Sequence, residues 1–186
     1  MSIGISGYFE VKKNGKWVGI EYLYKRTLQN YEMYSIFFGM RYHTIEPIAY
    51  NRGIPDFASE EFLADYEKWG SDAGGATFLS AKEYAAIDWE KSDEDEYLIV
   101  EYELIDNQLI YKRDDHSWNL KIPSQMNFDE NLEIHDGNRV FKKEFVSRQF
   151  YIDHYADSNW LDLLRDFGEL GEKHGLENVR MVVFFM

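Results

Sequence analysis

VRMVVFFM, residues 179–186, is a nearly continuous apolar run. A half-exposed strand alternates apolar with polar residues, whereas one covered on both faces does not, so this run is expected as a central strand. Its expected neighbour is the first hairpin. Over residues 3–24, Ile3, Ile5, Phe9 and Val11 alternate with polar or small residues before Asn14-Gly15, the strongest short hairpin signal. With Asn14 and Gly15 as the loop, Val11 faces Val18, Phe9 faces Ile20 and Ile5 faces Tyr24, collecting the apolar pairs on one face. The other face carries Tyr8 beside Glu21 and Lys12 beside Trp17.

Helices are expected to cover this sheet. In residues 31–40 the only polar or very small positions are Glu32, Ser35 and Gly39, one thin helical stripe, so this helix belongs inside the molecule. Ser59 caps a short helix with Phe62, Leu63, Tyr66 and Trp69 on one stripe and Gly70 at its end. A flexible turn, 71–78, leads to Ser80 and Glu83, a capping box with Leu79 and Tyr84 as its staple, and a helix to about Trp89. Asp157-Ser158 opens a long helix with Trp160, Leu163, Leu164, Phe167 and Leu170 inward and Glu169 and Lys173 outward.

The acidic run 90–96 reads as an exposed connection. Beyond it, Asp106-Asn107 sets Leu104 against Leu109 and Tyr102 against Tyr111, and Gly137 suits a three-residue loop that brings Ile134 to Val140, with the far strand continuing through Phe145. Residues 114–131 lack periodicity and read as a loop with a short strand. The fold class is therefore α+β: antiparallel hairpins with a mixed central sheet, packed against three to four helices. Residues 1–186 form one expected domain, with a candidate insertion or subdomain at about 93–153.

Charge and composition narrow the function. Twenty Lys plus Arg stand against 34 Asp plus Glu, a net charge of −14, which repels a nucleic-acid backbone and favours a basic protein surface. With no Cys there is no disulfide or thiol chemistry, and the chain suits a reducing cytoplasm. Neither a signal peptide nor a membrane-spanning segment is read in it.

Catalytic signatures are missing too. The five His form no HExxH pair, and no GxSxG elbow, GxxxxGK[ST] loop or GxGxxG fingerprint occurs. Asp153-His154 with Asp157, and Asp114-Asp115-His116, could supply O and N ligands to a metal, but acidic surface turns explain them equally well. No catalytic residue, metal ligand or cofactor is assigned. The best candidate site is the loop after the buried helix, stiffened by Pro47 and Pro55, where Arg41, Tyr42, His43, Tyr50 and Arg52 offer charge-assisted bonds and stacking to a small anionic ligand or an acidic partner segment. Asp56, Trp69 and Asp72 complete the set. A structural role competes for Arg41, which at a helix end can satisfy carbonyls or pair with Asp56 or Asp72.

Several segments resemble an uncharacterised family of small proteins of bacteriophages and prophages: SGYFEVKKNGKW, the aromatic helix ending GMR, IPDF after Arg52-Gly53, YEKWGSDA, AIDW and the closing NVRMVVFF. The resemblance covers roughly the first half and the C-terminal strand. Relatives place a His after the Asp-Ala that is Asp72-Ala73 here, whereas this chain has Gly74-Gly75, so an Asp-His site is not implied. The resemblance implies a viral context and no mechanism. Because small acidic single-domain phage proteins commonly act on host machinery by binding, and no catalytic signature is read here, the expectation is a non-enzymatic accessory protein, in the host cytoplasm, that inhibits or sequesters a host defence or regulatory factor. The alternatives are a sponge for a nucleotide immune signal, and a hydrolase or transferase using loop His and Asp.

Overall fold

The computed structural model describes residues 4–23, 30–40, 45–92, 97–115, 133–145 and 147–186. In chain order they form β1 (Ile5–Lys13), β2 (Lys16–Tyr22), α1 (Tyr31–Phe38), α2 (Glu60–Trp69), β3 (Ala76–Ser80), α3 (Ala81–Ala85), β4 (Leu98–Ile105), β5 (Gln108–Asp115), β6 (Glu133–Asp136), β7 (Arg139–Glu144), α4 (Arg148–Tyr155), α5 (Ser158–His174) and β8 (Val179–Phe185). The strands make two four-stranded sheets, ordered β2-β1-β8-β3 and β5-β4-β7-β6. The class is α+β. Both sheets are antiparallel at every pairing, so the mixed central sheet expected from the sequence is corrected.

β8 lies between β1 and β3 and is buried along its whole length. Alternation explains the continuous apolar run. Val179, Met181, Val183 and Phe185 enter the main core with residues of α1 and α5, while Val182 and Phe184 meet Phe62 of α2 on the opposite face. Aromatic rings fill the main core, with Phe9 stacked on Phe167 at 5.3 Å and Phe37 on Trp160 at 5.6 Å. Each such fully buried side chain contributes roughly 1.5–3 kcal/mol relative to exposure. Among the described residues no helix is long and apolar enough to cross a membrane.

Asn14 and Gly15 have φ of 49° and 82°, the positive values that a type I′ hairpin turn requires at both central positions. Val11 faces Val18 and Lys12 faces Trp17 as expected, but a bulge then sets Phe9 opposite Glu21 and Tyr8 opposite Tyr22. A contact with α2 accompanies it. The Gly19 amide, next to the bulged Ile20, leaves the ladder partner set by a regular register and donates to Glu61 of α2 at 3.1 Å. Tyr24 lies outside the described residues.

Three further expectations need correction. The turn expected over 71–78 ends inside β3, which starts at Ala76, because Thr77 and Leu79 face the main core while Ala76 and Phe78 pack with Phe62. α3 ends at Ala85 and not near Trp89, although its capping box forms as read. The third hairpin has a two-residue loop, so Ile134 meets Phe141 and His135 meets Val140; Gly137, with φ of 62°, supplies the first central position. β7 ends one residue short of Phe145.

The stretch from about 93 to 153 contains the second sheet and most of α4, an element the sequence reading left unassigned. Leu98 reaches into the main core, and Arg148 donates to the Glu46 and Asp88 carbonyls at 2.8 and 3.3 Å, tying α4 to two loops of the first half. His154 on α4 stacks on Phe150 at 4.0 Å and lies 4.4 Å from Tyr111 of β5. The His116 region, 116–132, lies outside the described residues.

Candidate functional site

The loop after α1 is built on the helix end. Gly39, in the left-handed conformation, closes α1 by donating to the Ser35 carbonyl, and the chain then doubles back so that the Ile48 and Ala49 amides take the Ile36 and Phe37 carbonyls. Those orphan acceptors are thus satisfied by the site loop itself. Arg41, Tyr42 and His43 lie outside the described residues.

Arg52 is described, and its guanidinium is occupied. It donates to the Ile48 carbonyl at 2.9 Å, to the Phe78 carbonyl at 3.2 Å and to Glu83 at 2.7 Å. With the Gly53 amide on the Ala76 carbonyl at 2.9 Å, it covers the outer edge of β3, which would otherwise invite another strand. Burial pushes the Glu83 carboxyl up, but hydrogen bonds from Ser80 and the Arg52 charge outweigh it and hold the group below its ordinary range.

The remaining candidates are not brought into contact by any described interaction. Tyr50 and Asp56 are exposed on the loop, and Trp69 and Asp72 stand at the far end of α2. Gly75 comes close to Asn51, so that a side chain on it would approach Asn51 Oδ1 to 3.5 Å. The loop and the Gly74-Gly75 turn are therefore neighbours. Among the described residues no three His, Asp or Glu side chains are grouped to hold a metal ion.

A residue not singled out from the sequence stands out here. Pro55-Asp56-Phe57-Ala58 is a β-turn closed by the Ala58 amide on the Pro55 carbonyl at 3.2 Å, and Phe57 has φ of 57°. A positive φ at that third position is the hallmark of a type II turn, where glycine or asparagine is usual. Phe57 is nonetheless 88% exposed, with Ile54 beside it at 41%. The signal in the sequence was a Pro-Asp turn with an aromatic at the glycine position.

What holds this turn is an ion pair beneath it. Glu10 and Arg180 are register partners on β1 and β8 and meet at 2.6 Å, at 0% and 7% exposure. The other Glu10 oxygen accepts the Ser59 amide at 2.7 Å, and Arg180 donates to the Asp56 and Phe57 carbonyls at 3.3 and 3.2 Å. The guanidinium also lies 4.0 Å from the centre of the Trp17 ring. Burial lowers the Arg180 pKa while Glu10 opposes that shift. Every end of the pair is thus engaged, and removing one partner of such a pair costs about 3–5 kcal/mol by stranding the other charge.

Comparisons with protein families, with curated proteins and with solved structures give no match for this chain.

Proposed function

We propose that this chain is a non-enzymatic accessory protein of bacteriophage type, acting in the host cytoplasm, that binds a host defence or regulatory factor and thereby inhibits or sequesters it. One observation carries the reading. Phe57 is held open to solvent in a conformation that costs an L-residue about 1–2 kcal/mol, by a buried ion pair that reaches up to its own carbonyl. An exposed aromatic on a pinned loop is a low-entropy anchor, the kind of residue that dominates protein–protein contacts. The segments that resemble phage proteins, IPDF among them, agree with this setting. The nucleotide-sponge reading would use Arg41 and Arg52 to take an anion; Arg41 lies outside the described residues, and Arg52 is bonded to two carbonyls and Glu83. Among the described residues, a hydrolase or transferase acting through loop His and Asp has no comparable observation behind it; His43 and His116 lie outside them.

The test is a capture experiment with the chain and its Phe57→Ala variant as parallel baits in bacterial extract and in a nucleotide mixture. A protein retained by the chain and lost from the variant is the expected result. An intact nucleotide released on heating would establish the sponge, and catalytic turnover of any component would establish an enzyme.

A further inference from the structure

Phe57 is followed, after Ala58 and Ser59, by α2, and the two segments present a strip of exposed residues along the chain: the helix carries Glu60, Leu63 and Glu67 at helical spacing, all exposed, with Leu63 at 38%. The buried side of the helix is supplied by Phe62, which packs on Phe184 at 5.8 Å, so Leu63 is left over from the core. Between 56 and 69 the exposed charged residues are Asp56, Glu60, Glu61 and Glu67 against the single Lys68. Of the cations on the first hairpin and β8, Arg180 is buried against Glu10 and Lys12 sits over the Trp17 ring at 5.9 Å, while Lys13 and Lys16 are exposed about the hairpin tip. The strip is therefore two apolar anchors set in carboxylates.

We infer that the strip formed by Phe57 and the Glu60, Leu63, Glu67 face of α2 is the docking surface for a basic protein segment, one that offers an apolar pocket to Phe57 and Lys or Arg side chains to the carboxylates. This rests on the binding function proposed above and adds the chemistry of the partner. Charge decides the occupant. A second copy of the chain would bring another acidic strip and another −14 of net charge, and like charges juxtaposed across an interface cost several kcal/mol. A basic segment is instead drawn in by the whole molecule's field and matched by the local rim.

The experiment is a selection of random displayed peptides on the immobilised chain, with counter-selection on Phe57→Ala, followed by affinity measurements on the enriched peptides as synthetic probes. Enriched peptides should be basic and apolar, should lose about 30-fold in affinity on Phe57→Ala, the factor equivalent to a hot-spot loss of about 2 kcal/mol, and should weaken with salt. The double variant Glu60→Lys, Glu67→Lys, which alters only exposed side chains, should weaken them about tenfold or more. Peptides that depend on Phe57 but are neutral or acidic, and are indifferent to the double variant, would overturn the basic partner and leave the binding function standing. If no enriched peptide depends on Phe57, both fall. Self-association of the chain that Phe57→Ala abolishes would overturn the basic partner in favour of a second copy.

Discussion

A phenylalanine at a turn position with φ of 57° gives the fold a torsional cost of about 1–2 kcal/mol and, at 88% exposure, almost no burial in return. Glycine would remove the strain and add about 0.5–1 kcal/mol of conformational entropy cost. Phe57→Gly is therefore expected to raise stability slightly, with a melting temperature higher by about 1–3 °C in a thermal melt. A fall of several degrees would mean that the ring supports the fold. Arg52 teaches the complementary lesson. Its charge was legible in the sequence and suggested a ligand, but beside the Ile48 carbonyl of its own loop its partners are the Phe78 carbonyl of β3 and Glu83 of α3, which only the fold brings to it. Phe57 itself could be read as a turn residue, whereas the buried pair that supports it joins positions 10 and 180 and leaves no local trace.

At the scale of elements, what was legible was what local chemistry decides. Asn14-Gly15, the Ser80 and Glu83 capping box and the Asp157 cap all form as read, because each depends on residues within three positions of one another. Gly15 has open space around its α-carbon, so a side chain there meets nothing, yet its φ of 82° makes a β-branched residue strained. Gly15→Val should accordingly lower stability by about 1–2 kcal/mol in chemical denaturation, through the turn alone. An unchanged denaturation midpoint would contradict the I′ turn. The bulge in the same hairpin was not legible, since the contact that accompanies it, Gly19 with Glu61 of α2, joins positions 42 residues apart. α4 escaped for a related reason. Its apolar residues Phe150, Tyr151 and Ile152 are consecutive and all pack in or against the main core, with Phe150 also meeting Tyr111 of β5, so no single stripe marks it.

Over the whole molecule, the two-faced burial of β8 fixes the centre, and its Arg180, the one charge in an otherwise apolar strand, marks the end of the sheet where the loop bearing Phe57 is fastened. The sequence showed this strand to be central because both its faces are apolar, but gave no reason for an arginine inside it. The antiparallel arrangement was equally hidden, since an apolar run reads the same in either direction. A net charge of −14 then sets which partners can approach, and the acidic strip from Asp56 to Glu67 lies beside the anchor that the ion pair presents. All of this depends on the turn being rigid. The most direct test is nitrogen relaxation at the backbone amides of Ile54, Asp56, Phe57 and Ala58. Order parameters of about 0.85, the level of rigid backbone, are expected across the turn, and values below about 0.6 would show a mobile loop and contradict the presentation of Phe57 by Glu10 and Arg180.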